Sequence, residues 1–81
     1  MATPEDELRS MAEFEALAER AYDDMYKEHY AIGRLGLYSD FKDFFALAID
    51  AAERAGRPDE AARLSKRRDH CREVYRKQFD Y

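Results

Sequence analysis

Residues branched at Cβ are almost missing from this 81-residue chain: Thr3, Ile32, Ile49 and Val74 are the whole set, against thirteen alanines. Strands draw on β-branched side chains to fill a pleated surface. Helices draw on Ala, Leu, Glu, Lys and Arg, which lose little freedom when coiled. Composition therefore argues against a sheet and for a core built from helices. Hydrophobic residues make up 46% and charged residues 40% of the chain, a balance that suits a soluble globular fold. No apolar run approaches the roughly 20 residues that a bilayer span requires.

Three glycines and the second proline divide the apolar periodicity into three segments. The first predicts a helix over about residues 4–32. Thr3 offers a hydroxyl cap, Pro4 the first helical position, and Glu5, Asp6 and Glu7 complement the helix dipole. Its stripe runs Met11, Phe14, Ala18, Ala21, Met25 and Ile32, widened by Leu17 and Tyr22. Gly33 is expected as a left-handed stop, and Gly33 to Tyr38 as a short connection whose leucines fold back on the core. The second helix is expected over 40–55, capped by Ser39 or Asp40 and ended by Gly56. Its apolar positions, from Phe41, Phe44, Phe45 and Ala48 to Ala55, cover more than half of its circumference, so it has to be covered on more than one side. The third, over 58–79, opens with Pro58, Asp59 and Glu60 and carries a narrower stripe of Ala61, Leu64, Cys71, Tyr75 and Phe79.

Short connections make successive helices antiparallel neighbours, so the expected fold is all-α, an up-down-up three-helix bundle with a long first helix, as one domain over 1–81. At about 1.5 Å per residue the first helix is about 44 Å long against about 24 and 32 Å for the others, which leaves Leu8, Met11 and Phe14 on an overhang. The core is thin for the ordering entropy it has to offset, and a homodimer or a bound partner would relieve that. The stretch Ala51 to Ala62 is similar to the turn between the two helices of a tetratricopeptide repeat, where Gly closes one helix and Asp-Glu-Ala opens the next. The similarity spans about a dozen residues with no second copy at about 34 residues, and it implies shared turn chemistry alone.

The net charge of −4 hides two opposite parts. Residues 1–53 hold 13 acids and 5 bases, whereas residues 54–81 hold 5 acids and 9 bases. Glu15, Glu19 and Asp23 form an i, i+4 ridge, with Asp24 and Glu28 as a second acidic pair. Arg68, Arg72 and Arg76 form a basic ridge on the third helix, with Arg68 at the edge of its apolar stripe. Since the first and third helices run parallel, the two ridges are expected either to pair as an internal seam, with Arg68 the most important member, or to leave one ridge free for a partner. A second basic stripe, Arg63, Lys66, Arg67, His70 and Lys77, lies away from the core face and offers contacts to nucleic-acid phosphates.

Residues for chemistry are few. His70 and Cys71 are adjacent and point about 100° apart on a helix, so they form no dyad. Cys71 falls on the apolar stripe and reads as a buried thiol. His29, Asp69, His70 and Cys71 have no zinc-ligand spacing, and Gly33 and Gly36 form no phosphate loop, so neither metal nor cofactor is expected. The single cysteine and the acidic start Met1 to Glu7, which lacks the features of a signal peptide, point to a reducing compartment, the cytoplasm.

Tyrosine is more informative. Tyr22, Tyr26 and Tyr30 continue the acidic ridge toward Tyr38, and tyrosine is enriched at interface hot spots. The expected function is a non-enzymatic protein-binding module, an adaptor, regulator or inhibitor, acting through Glu15, Glu19, Tyr22, Asp23, Tyr26 and Tyr30. Its partner would present a basic surface, and one version imitates nucleic acid to block a basic groove. The alternative is a nucleic-acid-binding protein that uses Arg63, Lys66, Arg67, His70 and Lys77; the excess of acid argues against it.

Overall fold

A computed structural model describes residues 2–79, which form α1 (Pro4–Lys27), α2 (Ala31–Arg54) and α3 (Pro58–Phe79), with no strand among the described residues. The all-α three-helix bundle expected from the sequence is the fold. At the start of α1 the Thr3 Oγ1 accepts from the Asp6 N–H at 3.2 Å, while the Thr3 N–H donates to Asp6 Oδ2 at 3.3 Å. This reciprocal capping box holds the Asp6 carboxyl below its usual range, chiefly through the Thr3 backbone N–H. The cap expected at Thr3 is therefore in place.

The break between the first two helices lies elsewhere than the glycines suggest. Helix α1 ends at Lys27 rather than near residue 32, and α2 starts at Ala31 rather than near 40. Glu28 turns extended, with φ −80° and ψ 128°, and its Oε1 accepts from the Tyr30 N–H at 3.1 Å. Gly33 sits in the first turn of α2 with ordinary φ, because Gly56 alone among the described residues has a positive one. A Cβ on Gly33 would stand 2.6 Å from the Glu28 Cδ. Gly33 thus makes room for the Glu28 carboxylate to fold over the new helix, a close approach and not a left-handed stop. The segment from Gly33 to Tyr38 is helix, not a connection, and Ser39 and Asp40 lie in the helix interior and cap nothing.

The length mismatch disappears with that correction. Helices α1 and α2 hold 24 residues each, about 36 Å, and lie antiparallel: Arg54 at the end of α2 reaches Glu7 at the start of α1. There is no long first helix and no overhang, since Met11 is buried and Leu8 and Phe14 pack against the core. Ile32, placed by periodicity on the stripe of the first helix, instead projects from the first turn of α2.

The second turn agrees with the sequence. Gly56 adopts φ 71°, its N–H donates to the Glu53 carbonyl at 3.0 Å, and the Arg57 N–H donates to the Ala52 carbonyl at 2.9 Å. This is a Schellman closure, for which a residue without Cβ is suited. Arg57 then grips Asp59 with two hydrogen bonds at the entry to α3.

Helix α2 is the central element and packs on both neighbours, as its broad apolar surface requires. It buries Phe41, Phe45, Ala48, Ala51 and Ala52; α1 adds Met11, Ala18, Ala21 and Met25, and α3 adds Ala61, Leu64 and Cys71. Alanines facing one another let α1 and α2 come closest, while α3 lies further from α1 and reaches it through long side chains. Phe44, expected in the core with Phe45 and Ala48, is half-buried at its edge. The result is a rod of 42 × 19 × 13 Å. Its radius of gyration of 13.5 Å exceeds the roughly 12 Å of a spherical domain of this length.

Candidate functional site

Parallel packing of α1 and α3 brings the acidic and basic parts of the chain together. Arg63 binds both carboxylate oxygens of Glu15, at 2.8 and 2.9 Å, and also Glu60 at 2.8 Å. One turn on, Arg67 binds both oxygens of Glu19, at 2.7 and 2.9 Å, and lies 5.7 Å from the centre of the Tyr22 ring. An internal acid–base seam is therefore present, but its bases are Arg63 and Arg67 from the stripe read as a phosphate surface. Of the basic ridge expected to face Glu15, Glu19 and Asp23, Arg68 pairs only with its neighbour Asp69, and Arg72 and Arg76 have no ion-pair partner among the described residues. Guanidinium donation holds the Glu15 carboxyl below its usual range, and the two arginines are pushed further above theirs by their carboxylate partners.

The tyrosine ridge has a second use for packing. Tyr22 and Tyr26 share a hydrogen bond between hydroxyls at 2.9 Å, with ring centres 5.2 Å apart. From Tyr22 the rings continue to Phe41 and Phe45, and from Tyr26 to Phe79. Tyr38, also stacked near Phe41, lies face to face with Tyr75 at 3.8 Å and 4°, and Tyr75 meets Phe79. Seven rings from three helices close one end of the bundle. Burial pushes the Tyr22 phenol well above the usual tyrosine range, and the bond to Tyr26 adds to that.

Of the residues expected to bind a protein, Glu15, Glu19 and Tyr22 are thus engaged inside the fold. Tyr26 packs on Phe79 with part of its ring exposed, and Asp23 and Tyr30 face solvent. Of the residues expected to bind nucleic acid, Arg63 and Arg67 are held by glutamates and Lys77 pairs with Glu73, while Lys66 and His70 are exposed. Beside Tyr30, which is 77% exposed, the turn from α1 into α2 exposes two apolar side chains that the sequence placed in the core: Ile32, at 87%, and Leu35, at 58%.

Among the described residues, no group of three or more His, Cys, Asp and Glu side chains is arranged to hold a metal ion. Cys71 is buried, and that burial raises its thiol pKa away from the reactive range. Two shallow depressions, of about 400 and 450 Å³, are each lined by one helix, the first by Asp69, Arg72, Glu73, Arg76 and Lys77 and the second by Glu13, Ala16, Leu17 and Arg20. No helix among the described residues is long and apolar enough to cross a membrane. The chain matches no known protein family, no curated protein and no solved structure.

Proposed function

We propose that this protein is a non-enzymatic module that binds another protein stoichiometrically, as an adaptor, regulator or inhibitor, through the end of the bundle where α1 turns into α2. The carrying observation is the exposure of Ile32, at 87%, between Tyr30 and Leu35 in the same short segment. Each large apolar side chain buried at an interface contributes roughly 1.5–3 kcal/mol, whereas left in water it contributes nothing to the fold. Tyrosine beside aliphatic anchors is the usual make-up of an interface hot spot. Asp23 and the open part of Tyr26 lie on the last turns of α1 and give this tip an acidic, aromatic margin.

The reading keeps the protein-binding class expected from the sequence and moves its centre from the ridge of α1 to the tip. An acidic surface that imitates nucleic acid has less support, because Glu15 and Glu19 are already neutralised by Arg63 and Arg67. A lone buried thiol favours a reducing compartment such as the cytoplasm as the setting.

A photo-crosslinking side chain placed at position 32 and, separately, at the exposed position 66 tests this in the cells that make the protein. An adduct with one other protein at 32 and none at 66 supports the tip. Equal adducts at both positions, none at 32, or an adduct only at the mass of two copies of this chain would refute it.

A further inference from the structure

Among the described residues, seven of the fourteen lysines and arginines have a carboxylate partner; of the seven that do not, Arg34, Lys42 and Arg72 share one face of α2 and α3. Arg34, Tyr38 and Lys42 form an i, i+4, i+8 row on α2. The Arg34 guanidinium lies 4.5 Å from the centre of the Phe79 ring, and the Lys42 ammonium 4.9 Å from that of Tyr38. Between them the rings of Tyr38, Tyr75 and Phe79 run without a gap, at 3.8 and 5.3 Å. Arg72 stands one turn before Tyr75 on the same face of α3. Arg34, Lys42 and Arg72 have no carboxylate partner among the described residues. Two cations are therefore held over an aromatic floor by cation–π contacts, with Arg72 a turn along α3 from it, in a chain whose net charge is −4.

We infer that this cationic face of α2 and α3, which begins at the tip, receives an acidic segment of the partner protein. The inference rests on the tip being a protein-binding surface and adds the chemistry of what binds there. Charge complementarity selects the occupant: carboxylates spaced along a peptide match cations two helical turns apart, on the order of 12 Å. Single-stranded nucleic acid also carries negative charge, but it gains much of its affinity by stacking bases on open aromatic faces. Here Tyr38 and Tyr75 are stacked on each other, and cations lie over Tyr38 and Phe79, so those faces are occupied. Arg34 lies in the first turn of α2, so the cationic row begins at the tip, while Leu35 points about 100° from Arg34 around the helix.

The test titrates the full chain with a labelled synthetic peptide that alternates Glu with Leu at helical spacing. The same peptide with Gln for Glu and an oligo-dT of similar charge serve as comparisons. Acidic-peptide binding is expected to weaken at least tenfold with Arg34→Gln plus Lys42→Gln and to weaken with salt. It should be unchanged by Lys66→Gln, and the Gln peptide should bind more weakly. Circular dichroism on each variant shows that the helices remain. No binding of the acidic peptide, equal binding of the Gln peptide, indifference to the double variant, or tighter binding of oligo-dT would overturn the inference. A crosslinked partner at position 32 alongside any of those results would leave the tip as a binding surface and remove only the acidic segment.

Discussion

Arg67 closes both donor arms of its guanidinium on Glu19, from the third helix to the first, across 48 positions of sequence. Together with Arg63 on Glu15 it converts the segregation of charge along the chain into the contact that fixes α3 against α1. Both pairs are partly in water, so their worth is set by geometry and by the ring that Arg67 covers, and less by Coulomb attraction alone.

Truncating this contact separates the two basic rows. Arg67→Ala is expected to lower unfolding free energy by about 1–2 kcal/mol, allowing for solvent screening and the lost cover on Tyr22. Arg68→Ala should change it by less than about 0.5 kcal/mol, since Arg68 meets only Asp69. Urea denaturation of both variants, with Glu19→Gln to complete a double-mutant cycle, checks this. A larger loss at Arg68 than at Arg67 would show that the seam uses the other row.

The core is graded along α2. Phe45 is fully buried, so Phe45→Ala is expected to cost about 3–5 kcal/mol, enough to unfold a marginal domain. Phe44 sits at the edge, and Phe44→Ala should cost clearly less, about 1–2 kcal/mol. Thermal melts of the two variants rank them. The reverse order would place Phe44 in the core.

Two glycines should respond with opposite signs. Gly36 lies inside α2, and a methyl group added there would have nothing within 4 Å, so Gly36→Ala is expected to stabilise by about 0.5–1 kcal/mol. Gly56 has φ 71°, and Gly56→Ala should destabilise by about 1 kcal/mol. Melting temperatures that fall at both sites would mean that residues 31–38 are not helical.

Titration reports the seam and the ring cluster at opposite ends of the pH scale. The Glu15 carboxyl is held below its ordinary value of 4.5, so its stabilisation is present above that pH and is lost as pH falls below it. Glu15→Gln should therefore be less stable at neutral pH and lose less on acidification below about 4.5. The Tyr22 phenol is raised above its ordinary value of 10.0, so its contribution is intact below pH 10 and is lost as pH rises further. Ultraviolet titration should show the Tyr22 phenol ionising late, and Tyr22→Phe should remove that step.

The reach of the sequence differs between elements for physical reasons. Thr3, Gly56 and Pro58 are local devices whose chemistry stays within a few residues, so the start of α1 and the turn into α3 are legible directly. The turn into α2 is not local in that sense. Gly33 looks like a stop because glycine tolerates positive φ, whereas here it yields space to a side chain five residues earlier. The better signal was the series Tyr38, Phe41, Phe45, Ala48 and Ala52, whose i, i+3, i+4 spacing continues upstream of residue 40. Because that upstream turn belongs to α2, Ile32 and Leu35 project from its first turns to the surface instead of packing on α1 or the core. The seam was visible as complementary charge. Choosing Arg63 and Arg67 over Arg68 and Arg72 required the rotation of α3 about its axis, and a helix so rich in arginine offers several rows of nearly equal merit.

Affinity capture from the protein's own cells, quantified by mass spectrometry, addresses the binding surface most directly. Wild type is compared with Ile32→Glu plus Leu35→Glu and with Arg20→Glu plus Lys66→Glu, all verified as folded by circular dichroism. One protein captured in near-equal amount to the bait, lost with the first variant and kept with the second, is the expected result. A partner kept by the Ile32→Glu plus Leu35→Glu variant, or lost only with Arg20→Glu plus Lys66→Glu, would contradict binding through the tip between α1 and α2.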